Sequence, residues 1–242
     1  MLLIIYDDSG HKTNDKQLYL LRNLFGIKKI KLTMKHFDQQ AKEWDNDPKK
    51  TERAITIAKE MTDFIRPNKT MNAFEFGCGT GLLSYQLKGF FKTITLADTS
   101  EGMIKVLQEK IANESINNFK PLLVDLLAEN AVINSNEFDV IYTLMTLHHI
   151  LEIDKILPIF HTMLKTGGYL CVADLVQEDG SFHTNVPGFD GHNGFDREKL
   201  SAVLSNHGFK VVYNETPFDI EKEFDGKVRK YPLFLMICKK IN

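Results

Sequence analysis

A chain of 242 residues with 43% hydrophobic content is long enough to bury a full core, and its length predicts one domain with an appendage. A count of 30 basic against 32 acidic residues leaves a net charge of −2, which excludes a broad basic field of the kind that drives sequence-independent nucleic-acid binding. The three cysteines, Cys78, Cys171 and Cys238, have no CxxC spacing and fit neither a disulfide framework nor a zinc site, so the expected compartment is a reducing cytoplasm.

In chain order, Met1 to Tyr6 form an apolar run of six residues that meets Asp7-Asp8, too short for a membrane span and expected to be a strand or a docked tail. Residues 34–66 are amphipathic and helical in period, with Ala54, Ile57, Ala58 and Met61 on one face and Pro67 as the break. After Thr70, short β-like runs alternate with helix-like stretches, the pattern of βαβ units on a parallel sheet. The strand candidates are 72–76, 93–97, 120–124, 138–142 and 168–173. Nearly all are continuous apolar runs, which predicts burial on both faces.

Between them, Ser100 is placed to cap a helix with Glu101 in its first turn and Met103, Ile104, Leu107 and Ile111 along one side. Pro158 inside the helical stretch 153–165 predicts a helix that starts near it or kinks at it, and Lys165-Thr166-Gly167-Gly168 a turn into the next strand. Asp196 caps a further helix, flanked by Phe195 and Leu200 at the spacing of a hydrophobic staple and stopped by Gly208. Residues 208–214 and 232–239 then read as an antiparallel pair at the sheet edge, joined by a polar stretch containing Gly226.

The chemistry concentrates at Phe74-Glu75-Phe76-Gly77-Cys78-Gly79-Thr80-Gly81. A strand that ends in glycines and feeds a helix exposes backbone N–H groups and lets a ligand approach without meeting a Cβ atom. The dinucleotide fingerprint GxGxxG is not met, because the glycines stand at 77, 79 and 81 and position 82 is Leu. Glu75 is the only charge in its apolar strand and needs a partner such as loop amides or a ligand's ammonium group. Asp98 closes the second apolar run, where its carboxylate can accept from a ribose diol or cap the following helix, and Asp125 repeats the arrangement after the third run. Together these residues describe a nucleoside-binding crevice.

The pattern E-x-G-x-G-x-G resembles motif I of the class I S-adenosylmethionine-dependent methyltransferases, and the resemblance extends over roughly residues 37–240. It implies a Rossmann-like α/β fold: a doubly wound, mostly parallel seven-stranded sheet with an antiparallel edge hairpin, preceded by an N-terminal helical segment. It also implies S-adenosylmethionine as cofactor, with Trp44, Glu75, Gly77, Cys78, Gly79, Gly81, Asp98, Thr99, Met103, Asp125, Leu126 and Thr143 as its contacts. Asp125 would meet the adenine amino group. The segment Phe37 to Asp45 resembles the one that folds over the cofactor in this family, with Trp44 either shielding the sulfonium or packing a helix on the sheet. On this pattern residues 1–33 are an extension, 34–66 a lid and 67–242 the methyltransferase domain.

The run Phe138 to Ile150 looks like the family's fourth strand and the loop facing the transferred methyl. Where methyltransferases of DNA bases carry Asn/Asp-Pro-Pro-aromatic, this chain has Thr143-Leu144-Met145-Thr146 and then Leu147-His148-His149. That resembles the branch acting on small molecules, quinone precursors among them, and weighs against a nucleic-acid substrate. His148 and His149 are candidate bases or substrate holders, or a structural pair at a hinge. The segment 174–196 is too long for a simple connection and lies where α/β sheets keep their active sites. It adds His183 and His192 as candidate acceptor contacts, with a metal held together with Asp179 as a lesser alternative and solvated loop histidines as the plain one. The expected activity is methyl transfer to O, N or C of a small molecule. The rival functions are a protein or tRNA methyltransferase and a non-catalytic cofactor-binding regulator. No metal, membrane or oligomeric state is called for by the sequence.

Overall fold

The computed structural model describes residues 36–129, 131–186 and 189–241, so the readings of 1–6 and of the extension 1–33 lie outside the described residues. Twelve regular elements follow: α1 (Pro48–Ile65), β1 (Asn72–Phe76), α2 (Leu82–Leu87), β2 (Thr93–Asp98), α3 (Glu101–Asn113), β3 (Phe119–Leu123), β4 (Phe138–Leu144), α4 (Ile153–Met163), β5 (Leu164–Leu175), α5 (Arg197–Asn206), β6 (Phe209–Phe224) and β7 (Lys227–Lys240). They build one seven-stranded sheet of order β3-β2-β1-β4-β5-β7-β6. The first five strands are parallel and β7 runs antiparallel between β5 and β6. The doubly wound sheet with an antiparallel edge hairpin is therefore the observed fold.

Side chains of the central strands alternate between two cores, as period-two strands must. Ala73, Ile94, Leu96, Val140 and Tyr142 pack with α1, α2 and α3 on one face. Phe74, Phe76, Ile141, Val172 and Leu170 pack with α4 and α5 on the other. The caps read from sequence are in place: Ser100 Oγ accepts from the Met103 N–H at 3.2 Å, and an Asp196 carboxylate oxygen from the Glu198 and Lys199 N–H groups at 3.0 and 3.1 Å.

Five local expectations are corrected. The third strand is not buried on both faces: β3 is a sheet edge, and Leu122 and Leu123 are 41% and 52% exposed. The helix at 153–165 does not start near Pro158: it runs from Ile153 to Met163 with Pro158 inside it, because Ile156, Leu157, Phe160 and Met163 are all buried and their packing outweighs one missing N–H. The turn at Gly167 lies inside β5, since Leu164 already pairs with Phe138. The polar stretch around Gly226 is strand, not linker, up to a two-residue turn at Asp225-Gly226 where both φ angles are positive (52° and 70°), the geometry that suits a tight hairpin. The lid is not one helix: residues 36–40 are helical, Ala41–Asn46 form a 3-10 turn, and Asp47-Pro48 restarts the chain as α1.

Candidate active site

Both halves of the site lie at the carboxyl ends of β1, β2, β4 and β5. On the first half, Gly77, Gly79 and Gly81 have φ of +66°, +53° and +80°, backbone that a side chain resists, and the loop they form is clamped at both ends. The Cys78 N–H donates to the Ala97 carbonyl at 3.0 Å, and the Gly79 N–H donates to one carboxylate oxygen of Asp98 at 2.7 Å. The other Asp98 oxygen accepts the Ser100 N–H at 2.8 Å. Burial raises the Asp98 pKa, and the amides of Ser100 and Gly79 hold it back. Asp98 thus fastens the glycine loop to the start of α3 as well as standing at the end of β2.

Glu75 is 2% exposed, and within the fold the Ser84 hydroxyl of α2 donates to it. Ser84 also meets the Tyr142 hydroxyl at 2.7 Å. Burial pushes the Glu75 carboxyl up to about 8, with the Ser84 hydrogen bond opposing. Cys78 is buried too, and desolvation drives its thiol well above the ordinary value, away from reactivity.

The lid reaches this loop through polar contacts. Asp38 accepts from Ser100 Oγ at 2.6 Å and from the Gly102 N–H at 2.9 Å. Asp45 accepts the Thr80 hydroxyl and pairs with Lys110 at 2.7 Å. Trp44 Nε1 and Met103 Sδ stand 3.8 and 3.9 Å from where a Cβ on Gly79 would project, so a side chain there would pack against both and the glycine keeps that position clear. Lys50 Nζ sits 3.5 Å over the Trp44 ring. Thr99 and Asp125 are exposed; Asp125 accepts the Leu127 N–H at 2.9 Å, two residues past the end of β3, and Leu126 is buried. Thr143 is buried with its hydroxyl unpartnered. The position a Cβ would fill at Gly79, the exposed Asp125 carboxylate and the orphaned Thr143 hydroxyl fit a nucleoside carrying an amino-acid tail.

On the second half, β4 is followed by Met145, whose φ of 56° is unusual for a side chain-bearing residue, and the chain then enters the 3-10 turn Leu147–His149. Asp174, fully buried near the end of β5, accepts His148 Nδ1 at 2.7 Å and the His148 N–H at 3.1 Å. The hydrogen bond on Nδ1 leaves His148 Nε2 as the free ring nitrogen. His149 and His183 join it: ring centroids are 4.2 Å apart for His148–His149, 4.9 Å for His148–His183 and 5.9 Å for His149–His183. Phe189 stacks on His183 at 3.7 Å, and Phe37 of the lid meets His149 edge-on at 5.4 Å. Desolvation, with repulsion from His148, lowers His149 well below the usual imidazole range and His183 to about 3.

His192 does not join the cluster. Its Nε2 bonds the Ile150 carbonyl at 3.0 Å and its backbone N–H the His148 carbonyl at 2.7 Å, which clamps the turn from behind. Asp179 pairs with Arg229 at 2.9 Å, so the metal alternative built on His183, His192 and Asp179 is not assembled. The β6–β7 hairpin walls this half: Lys222 donates to the Phe182 carbonyl, Arg229 also donates to Ser181 Oγ at 2.8 Å, and Tyr231 meets Ser181 Oγ at 2.9 Å.

Two residues were missed by sequence reasoning. Asp174 ends an apolar strand as Asp98 does, and that rule would have found it. Arg53, a polar position of amphipathic α1, is turned inward with its Nε buried and unpartnered; burial lowers it to about 10, against the opposing charges of Asp47 and Asp174.

Residues 74–172 match the family described as "Methyltransferase domain". An uncharacterised methyltransferase of Schizosaccharomyces pombe is 30% identical over 148 residues, covering 56% of this chain and 52% of that protein, so the chain spans about half the length of this curated relative. A malonyl-[acyl-carrier protein] O-methyltransferase of Priestia megaterium is 26% identical over 87% of this chain and 80% of its own. Among solved structures, a phosphoethanolamine N-methyltransferase of Haemonchus contortus in complex with S-adenosylhomocysteine superposes with a TM-score of 0.60 at 14% identity, over 75% of this chain and 51% of that one. No helix among the described residues is long and apolar enough to cross a membrane.

Proposed function

We propose that this chain, a class I S-adenosylmethionine-dependent methyltransferase by its fold and matched domain, moves a methyl group onto an oxygen of a small molecule held beside His148, His149 and His183. One observation carries the reading: the glycine loop and the imidazole cluster are neighbours, joined by the hydrogen bond from Thr146 Oγ1 to the Gly77 carbonyl at 3.1 Å. S-adenosylmethionine supplies a methyl group on an already activated leaving group, so the protein's main task is alignment.

The residues divide that task. Gly77, Cys78, Gly79 and Gly81 offer backbone to the amino-acid tail, with Glu75 and Thr143 beneath. Asp98 and Thr99 face the ribose, and Met103, Asp125 and Leu126 the base. Trp44 and Phe37 close over the crevice and exclude water. On the acceptor side Asp174 orients the His148 ring, and His149, His183 and Phe189 complete an apolar, imidazole-lined floor. Arg53 and Lys222 border it, and Lys222 contributes to the lowering of His183. Two cations near neutral imidazoles favour an acceptor with an acidic oxygen, a phenol, enol or carboxylate. The O-methyl chemistry named for the Priestia relative agrees with this choice. Three buried free cysteines are in keeping with a reducing cytoplasm.

The test is two measurements on the full chain. Calorimetry with S-adenosylmethionine reads the donor half, and Asp98→Ala is expected to weaken binding at least about tenfold, or about 1.4 kcal/mol. Release of S-adenosylhomocysteine, assayed against phenols, enols and carboxylates, reads turnover. Donor binding without turnover on any of them would favour the regulatory binder, and turnover only on protein or tRNA the macromolecular enzyme.

A further inference from the structure

We infer that His148, His149 and His183 form a binding site for one divalent transition-metal ion of the zinc class. One ring nitrogen from each lies within 4.8 Å of one from each of the others. A zinc ion with ~2.0–2.1 Å bonds to three imidazoles needs those nitrogens about 3.3 Å apart, so small rotations of the rings close the site.

Two features distinguish this cluster from a set of histidines that merely pack. The first is the carboxylate behind His148. Buried Asp174 holds Nδ1 at 2.7 Å and so fixes the ring beside the other two imidazoles, with Nε2 as the nitrogen left for a ligand bond. That carboxylate–imidazole arrangement is the usual outer support of a metal-bound histidine, and it places a fixed negative charge beside an incoming cation.

The second is unmet hydrogen-bonding capacity. The Nδ1 atom of buried His183 has no partner, and neither the His149 nor the His183 ring makes a hydrogen bond among the described residues. A proton-accepting base needs one imidazole, and an acceptor's hydroxyl group can satisfy one. Three ring nitrogens held this close together are matched by a cation.

Three imidazoles and an open fourth position suit zinc and its first-row neighbours better than magnesium or calcium, which take oxygen ligands.

The role given to the ion rests on the methyl-transfer reading above; the site itself does not. The open position would take the acceptor's oxygen, whose proton passes to water as the ion stabilises the oxyanion. As the oxygen–carbon bond to the methyl forms, the carbon–sulfur bond breaks with its electron pair left on sulfur. Charge and atoms balance without any redox partner.

The experiment uses the full chain, stripped with chelator and titrated with Zn2+ against a chromophoric competitor, and separately with Co2+ followed by visible absorption. One ion per chain is expected, with tetrahedral cobalt bands and no thiolate charge-transfer band. Asp174→Asn is expected to weaken the ion about 10–100-fold, and His149→Ala and His183→Ala at least as much. His207→Ala, on the surface beside Asp154, serves as the unaffected control. Failure of the stripped chain to take up an ion, cobalt spectra with thiolate character, or equal zinc affinity in the folded His183→Ala protein would each overturn the site. If the alanine variants do not fold, the cobalt spectrum of the unmodified chain decides alone. Calorimetry with S-adenosylmethionine in the presence of chelator keeps the readings apart. Donor binding there, with no ion bound in the other arm, removes the metal and leaves the methyltransferase.

Discussion

Thr146 occupies the space that any side chain on Gly77 would need. A Cβ built at Gly77 would lie 2.1 Å from Thr146 Cγ2, while the Thr146 hydroxyl holds the Gly77 carbonyl at 3.1 Å. The loop proposed to meet the donor and the loop proposed to meet the acceptor are therefore locked to one another. Gly77→Ala is expected to cost roughly 2–4 kcal/mol, from the clash together with the strain of φ +66°, and to abolish donor binding. Thr146→Gly in the same chain should restore part of the stability, measured by thermal melts. If the second change restores nothing, the two loops are not coupled through this contact.

Glu75 predicts a dependence on pH. Its carboxyl is raised from about 4.5 to about 8 by burial, so the folded state holds the proton more tightly than the unfolded one. The stability from this group is complete below about 4.5 and is lost as pH rises through about 8. Glu75→Gln cannot ionise, and the melting temperature of the ligand-free variant should fall less than that of the natural chain between pH 5 and pH 9. Parallel curves would mean that Glu75 is already ionised in the fold.

Trp44 is the chain's single tryptophan, and it stands against Gly79 and Met103, so its emission is expected to report on the proposed donor crevice. Saturation with S-adenosylhomocysteine should quench or shift it, and Trp44→Ala should weaken donor binding about tenfold, or about 1.4 kcal/mol. Unaltered emission at a donor concentration that calorimetry finds saturating would remove Trp44 from the crevice.

A chain that begins at Met34 keeps the segment 36–46 whose Asp38 and Asp45 reach α3 and the glycine loop. It is expected to fold and to retain a thermal shift with S-adenosylmethionine. Loss of that shift in a folded protein would place part of the donor site within residues 1–33.

Strands β1, β2 and β4 were legible because they are covered on both faces and so are written as unbroken apolar runs. β3 carries the same kind of run yet sits at the sheet edge, where Leu122 and Leu123 are left to solvent, and composition does not distinguish the two cases. The hairpin arms read as polar linker because, beyond their pairing with β5, only Ile220 and Tyr231 are buried apolar residues while Glu221 and Lys230 face each other outside. In the candidate site the sequence named all three clustered histidines. It had no means of telling His183, turned in against Phe189, from His192, turned back onto the Ile150 carbonyl. Arg53 was hidden for a related reason: a charged residue on an amphipathic helix reads as solvated unless the fold brings that flank inward.

The hairpin at the chain's end has one more implication. Every proposed donor contact lies between Phe37 and Thr143, whereas the acceptor walls, Arg53 apart, come from Thr146 to Tyr231. Because β7 enters the sheet antiparallel beside β5, the last third of the chain returns over the site without passing through the donor half. Exchange of everything after β4 with the equivalent part of a related enzyme would thus recombine acceptor preference as a unit, leaving the methyl source as it was.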